Sequence, residues 1–287
     1  LKTWKTDFNG LVRKKKRGVN MGFVCADLKR AIANRKFALL VIMVAILECM
    51  DALPQLLIGA EIKGGRIILY QNVTDMIMNN GASTLYHLLS CTVGVMVFAG
   101  SYCEDAENKF ITNIVYRSSC SRYSAVKVFT CVVSAFLCIV IGKLLYVCIL
   151  SLMLPLSAEN NDIYQGSWQT LQQGRYWLFI LYRLLLGGLQ GAFFAIISFI
   201  ASAFVRNKFL IYAMPSIVYY FFLYIFTDLY DLSKWNGFRI LSVANVYFTF
   251  QFGLDKELES LCFTMLYTVV LAIAGWFVFD RKIRRNI

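Results

Sequence analysis

Six apolar segments, each long enough to cross a lipid bilayer, are spaced along the 287 residues of this chain. A run of about 20 apolar residues reads as a membrane-spanning helix. The segments cover residues 37–58, 84–102, 126–156, 176–205, 209–230 and 260–279. With 59% apolar and 16% charged residues there is little chain left for a soluble domain. The expected fold is all-α: a polytopic membrane protein with six transmembrane helices.

The basic residues set the expected orientation. If both termini lie in the cytoplasm, 21 of the 29 Lys and Arg residues fall on the cytoplasmic side, six fall in outer loops, and Lys143 and Arg183 sit within spans. Cytoplasmic segments carry such an excess. The net charge of +12 is therefore concentrated at membrane boundaries, where anionic headgroups account for it, and nucleic-acid binding is not expected. None of the nine Cys residues lies clearly in an outer loop, Cys262 being the nearest, so no external disulfide framework is expected. No CxxC pair or His/Cys cluster has zinc-ligand spacing, and His87, the single histidine, has no partner set.

Expected organisation follows from composition. Residues 1–22 are a basic extension expected to be disordered, residues 1–20 being either an addition or an upstream misreading of the start. They lack the apolar core and cleavage site of a signal peptide. Residues 23–36 mix Phe23, Val24, Leu28 and Ile32 with Asp27, Lys29, Arg30 and Arg35, the pattern of an amphipathic helix lying on the inner surface with its bases toward headgroups. Residues 37–281 form the membrane domain and 282–287 a cytoplasmic tail. The outer loops 59–83 and 157–174 read as polar connections with turn signals at Gly64-Gly65 and Asn79-Asn80-Gly81. The apolar, aromatic stretch 238–252, too short to cross, reads as a re-entrant or interfacial outer segment before the sixth span. Gly187, Gly188 and Gly191 give the fourth span a small-residue face, for close packing within the chain or for a dimer contact.

Four charges lie inside expected spans: Glu48, Asp51, Lys143 and Arg183. At about 1.5 Å per residue all four share the outer half of the membrane. Opposite charges at matching depth on the first, third and fourth spans are expected to pair, either as a lock between helices or along a substrate route. A charge swap of Glu48 with Arg183 separates the two.

The most specific local pattern lies between the second and third spans. Carboxylates at Glu104, Asp105 and Glu107 are followed by Lys109, by apolar Phe110, Ile111, Ile114 and Val115, and then by Arg117, Ser118, Ser119, Arg122 and Lys127. The apolar spacing of one, three and four makes a short helix with a sticky face, suited to docking a cytoplasmic partner.

In that order of features the chain resembles the permease subunits of type-2 ABC exporters: an acidic end to the second span, a short helix, an Arg-containing turn and a Lys opening the third span. The surface helix before the first span and the outer segment before the sixth extend the resemblance over most of the chain. The resemblance implies a plasma-membrane, multi-pass half-transporter that exports a hydrophobic or amphipathic substrate such as a peptide, drug or lipid-like molecule. It implies a second permease copy or homologue and cytoplasmic ATP-binding subunits as partners. The coupling helix would comprise Glu104, Asp105, Glu107, Lys109, Phe110, Ile111, Ile114, Val115, Arg117 and Arg122, with a second ATPase contact at Asp27, Lys29 and Arg30. The sequence has no GxxxxGK[ST] phosphate loop, so ATP and Mg would be bound by the partner, with no cofactor on this chain. Two other readings stay open at this stage. One is an intramembrane enzyme such as a protease, which needs convergent groups that the single histidine and the absence of HExxH do not supply. The other is a channel or sensor without ATPase coupling.

Overall fold

The computed structural model describes residues 22–58, 60–63, 66–69, 72–79, 84–107, 119–156, 174–205, 207–232 and 257–286. In chain order these form α1 (residues 22–32), α2 (Arg35–Ile58), an antiparallel ladder of β1 (Ala60–Lys63) and β2 (Arg66–Leu69), then α3 (Val73–Asn79), α4 (Thr84–Met96) and α5 (Ser101–Glu107). The remaining helices are α6 (Cys120–Met153), α7 (Tyr176–Ser202), α8 (Lys208–Leu232) and α9 (Glu257–Asn286). Four of them are long and apolar enough to cross a membrane, over Arg35–Pro54, Cys120–Met153, Tyr176–Ser202 and Thr264–Arg285. These coincide with the first, third, fourth and sixth apolar segments. The protein is thus a predominantly helical membrane protein. Its outward faces carry the apolar side chains that such a solvent requires, among them Leu39, Phe129, Leu152, Trp177, Phe209 and Val270.

α6 is the central post. It contacts α2, α4, α7 and α9, and its 34 residues extend about 51 Å, well beyond a hydrocarbon core of about 30 Å. It starts six residues before the expected span. α7 is the most enclosed helix: 72% of its most apolar stretch is buried, against 22% for α9. Its glycines explain how it comes so close to α6. A Cβ built on Gly188 would lie 2.5 Å from Val140 Cγ2, and one on Gly191 would lie 2.6 Å from Ile139 Cγ1. The small-residue face is therefore turned onto α6 of the same chain.

Three departures from the sequence reading have local causes. The first span begins two residues earlier than expected, at Arg35 rather than Phe37, because Asn34 caps α2, its Oδ1 accepting the Lys36 N–H at 3.3 Å while its carbonyl accepts the Phe37 N–H at 3.0 Å. The second apolar segment is not one straight helix. α4 stops at Met96, residues 97–100 turn, and α5 follows, with the Ser101 N–H reaching only as far back as the Phe98 carbonyl, at 2.9 Å. Gly100 permits this approach, because the Tyr212 hydroxyl sits 2.5 Å from where a Cβ would be. At about 20 Å, α4 alone is too short to cross.

The third departure is the outer loop 59–83, expected to be a plain connection. It contains the β1–β2 ladder, in register Lys63↔Arg66, and α3, whose Val73, Met76 and Ile77 are buried. The ladder is a short non-helical connection in an otherwise helical fold. The spacing i, i+3, i+4 of the three buried residues is a helix stripe that the surrounding polar residues disguised. The Val73 N–H donates to the Pro155 carbonyl at 3.0 Å, which ties α3 to the C-terminal end of α6. The stretch expected to be re-entrant, 238–252, lies outside the described residues.

Two core clusters form the ends of the bundle. At one end Phe98, Tyr102, Tyr123, Phe199 and Phe279 are buried together, and at the other Ala52, Met76, Tyr146, Leu150 and Phe179. Gly188→Leu is expected to force α6 and α7 apart, costing about 1–3 kcal/mol by overpacking. Gly22→Ala, where a Cβ meets nothing within 4 Å, is expected to be neutral. Thermal unfolding of the two variants in mild detergent checks this.

Candidate functional site

Three elements converge where the two halves of the second segment meet the start of α6. α1 presents Asp27 and, nearly one turn later, Arg30. α5 presents Glu104 and Asp105, and α6 presents Tyr123 and Lys127, which lie on one face at the i, i+4 spacing. Asp105, almost fully buried, is the common acceptor. Its Oδ2 takes the Lys127 ammonium at 2.8 Å and the Tyr123 hydroxyl at 3.0 Å, and its Oδ1 takes Arg30 Nη1 at 2.9 Å. Arg30 also donates from Nη2 to Glu104 Oε2 at 2.9 Å. Lys127 in turn reaches Asp27, 3.2 Å from Oδ2.

Lys127 is only 1% exposed, so its charge depends on these neighbours. An ammonium without partners in a medium of low dielectric would give up its proton or carry a large desolvation cost. Two carboxylates and two aromatic faces surround it: Nζ lies 5.1 Å from the Phe98 ring centre and 5.5 Å from that of Tyr123. Burial by itself would push the Asp105 carboxyl up, but the Lys127 ammonium and the Arg30 guanidinium outweigh it and hold Asp105 below the usual carboxylate range. The arrangement is a joint. It fixes α5, which ends at Glu107, against α6, which begins at Cys120, and fastens α1 over both. An exposed pair of Lys208 with Glu107, 3.2 Å apart, adds α8 at the edge and contributes little energy.

The structure brings together Asp27, Arg30, Glu104 and Asp105 from the residues singled out in the sequence. Arg30, its side chain still 46% exposed, bridges two carboxylates, because α1 lies over α5. Lys29 and Arg122 are exposed. Lys109, Phe110, Ile111, Ile114, Val115 and Arg117 lie outside the described residues. The sequence reading gave Tyr123 and Phe98 no role. The i, i+4 relation of Tyr123 to Lys127 was the available signal.

A second group of charges lies toward the other end. Glu48 of α2, 4% exposed, accepts from Lys143 of α6 at 3.0 Å and from the Ser90 hydroxyl of α4 at 3.1 Å. Gly187 on α7 makes room for this lysine, since a Cβ there would lie 2.8 Å from Lys143 Cε. Arg183, the partner considered for Glu48 in the charge swap, donates to the Ile77 carbonyl at 3.1 Å. That carbonyl is in the last turn of α3, where a cation suits both the open acceptor and the helix dipole. Asp51 is buried on α2, one turn beyond Glu48. Lys143, Arg183, Tyr146 and Gln190 line a cavity of about 30 Å³, above the roughly 10–15 Å³ that admits a water. These contacts connect α2, α3, α4, α6 and α7.

Among the described residues no group of three or more His, Cys, Asp or Glu side chains is placed to hold a metal ion. Comparison with protein-family models gives no match to this chain, and comparison with curated proteins gives none either.

Lys127→Met is expected to strand Asp105 and Asp27 without their shared cation and to destabilise the protein by about 3–5 kcal/mol. The pH dependence has a definite sign. Because the folded-state value of Asp105 is depressed, its contribution is present in full above the ordinary carboxylate value and is lost as pH falls through the lower folded one. The melting temperatures of the parent protein and Asp105→Asn are therefore expected to converge as pH falls below about 4. For the second group, Glu48→Gln/Lys143→Met is expected to melt higher than either single variant. A coupling energy near zero in the double-mutant cycle would show that the pair does not hold the helices.

Proposed function

We propose that the chain is the membrane subunit of an ATP-driven exporter of the type-2 ABC permease class. The observation that carries this reading is the joint around Asp105 and Lys127. It holds the ends of α5 and α6 that flank residues 108–118, and it fastens α1 beside them. A cytoplasmic motor that pushes on a short connection can move membrane helices only if that connection is rigidly anchored to them. In this reading residues 108–118, with Phe110, Ile111, Ile114 and Val115 as the docking face, insert into a partner that binds ATP and Mg. α1 is the second contact, through Lys29 and its neighbours.

The full topology belongs to the same proposal. Residues 84–102, through α4 and the turn after it, make the second crossing and α8 makes the fifth. That gives six crossings in the plasma membrane with both termini cytoplasmic, and residues 238–252 dip into the outer leaflet. The positive-inside count supports this orientation. A second copy or a homologous permease completes the pathway, and the cargo is hydrophobic or amphipathic, such as a peptide, drug or lipid-like molecule.

The test is purification of the full chain from its native membrane in mild detergent. A soluble subunit carrying GxxxxGK[ST] is expected to accompany it and to hydrolyse ATP. Ile114→Asp is expected to release that subunit while the membrane chain still folds. A chain that transports in vesicles without any ATP-hydrolysing subunit would sink the proposal. Orientation is read separately from Cys25, exposed on α1. In a variant retaining only this cysteine, a membrane-impermeant maleimide is expected to react after permeabilisation and not with intact cells.

A further inference from the structure

A polar pocket of about 100 Å³ lies beside the joint, bounded by the α1–α2 bend, by the break between α4 and α5, and by Tyr212 of α8. Its lining is rich in hydrogen-bond donors. Lys36, exposed in the first turn of α2, has no side-chain partner among the described residues. Asn34 spends its carbonyl oxygen on capping α2, which leaves its amide nitrogen to donate. Arg30 gives one bond from each Nη to Asp105 and Glu104, which leaves donors over from its five. The Ser101 hydroxyl, on a residue 5% exposed, has no hydrogen-bond partner among the described residues. The only carboxylate in the lining is Glu104, already bound by Arg30. Arg30 is held by Glu104 and Asp105, so Lys36 is the cation that the lining offers to an anion.

An apolar track leads away from it. Lys36, Leu39, Met43, Ile46 and Met50 stand three, seven, ten and fourteen residues along one face of α2, and all are exposed. Lys36 to Met50 is a rise of about 21 Å, enough to cover the depth of one leaflet of a hydrocarbon core about 30 Å thick. A donor-rich cup at the head of such a track matches a molecule with a phosphate at one end and an acyl chain at the other. A free anion would use the cup and leave the track idle.

We infer that this pocket is a binding site for the phosphate headgroup of an anionic phospholipid, with one acyl chain lying along the Leu39–Met43–Ile46 face of α2. Basic pockets between helices at the cytoplasmic face are suited to such headgroups. The site rests on the orientation proposed above and not on coupling to an ATPase. Because the lipid would touch Arg30, Asn34 and Lys36 at once, it would stiffen the bend between α1 and α2 against the Asp105 joint.

The experiment uses the full chain, delipidated in mild detergent. It is titrated in parallel with phosphatidylglycerol, phosphatidylcholine and inorganic phosphate, with bound lipid counted by native mass spectrometry and stability read by thermal unfolding. One phosphatidylglycerol is expected to be retained in preference to phosphatidylcholine and to raise the melting temperature. Lys36→Gln is expected to lower that preference about fivefold, and Leu39→Asn to weaken lipid retention without touching a charge. Both positions are exposed, so the lipid-free melting temperature serves as the control for folding. If Lys36→Gln alters it, Asn34→Ala takes its place. Equal retention of the two lipids, or undiminished preference in both variants, overturns the inference. Protection by inorganic phosphate as strong as that by phosphatidylglycerol assigns the pocket to a free anion and overturns it as well. Cys25 labelling from outside intact cells would instead mark a failure of the orientation.

Discussion

The ammonium of Lys127, buried at the start of α6, is the constraint on which this end of the molecule depends. A cation in that position needs anionic partners, and the chain supplies them from sequence positions 100 and 22 residues away, Asp27 and Asp105. Meeting that need fixes where α1 and α5 lie. The surface helix cannot drift along the membrane plane, and the short helix after the break cannot swing, without leaving a charge exposed to a medium that solvates it poorly. The Tyr123 hydroxyl and the Phe98 ring complete the enclosure. The aromatic cluster around Tyr102, Phe199 and Phe279 then packs against a surface already set by electrostatics.

The two charge groups obey the same physics but differ in what they join. Near Lys127 the partners come from elements at the margin of the membrane, which a short helix and a surface helix can provide. Near Lys143 they come from long helices, and space matters as much as charge: Gly187 leaves the lysine stem a channel to Glu48. Arg183 acts differently again, closing the end of α3 through a backbone carbonyl. Small residues, buried bases and the short helix α3 thus depend on one another where the C-terminal end of α6 meets the N-terminal end of α7.

Long apolar runs were readable from composition, because a helix in lipid must be continuous and greasy, and α2, α6, α7 and α9 are both. What composition hides is interruption. The second segment is as apolar as its neighbours, and its composition marks neither the turn at residues 97–100 nor Gly100 as the place where Tyr212 packs against the backbone. α3 was missed for the opposite reason, since three buried apolar side chains among polar ones do not shift a composition average. Asp105 and Arg30 were visible as residues of interest, but their meeting was not: their separation of 75 positions carries no local periodicity. Lys143 drew attention because charges inside spans are rare; matching depth narrowed its partner to Glu48 or Asp51, and packing selected Glu48.

Lys127 and Lys143 stand 16 positions apart on α6, about 24 Å along its axis and about 160° around it. One base is bound to α1 and α5, the other to α2 on nearly the opposite side. A spin of α6 about its own axis would pull both ammonium groups away from their carboxylates together, so that motion is barred. Tilting or sliding as a body with its bound neighbours breaks neither bond. The central helix is keyed at two points like a shaft, and displacement applied at its N-terminal end is transmitted to its C-terminal end as translation rather than dissipated as twist.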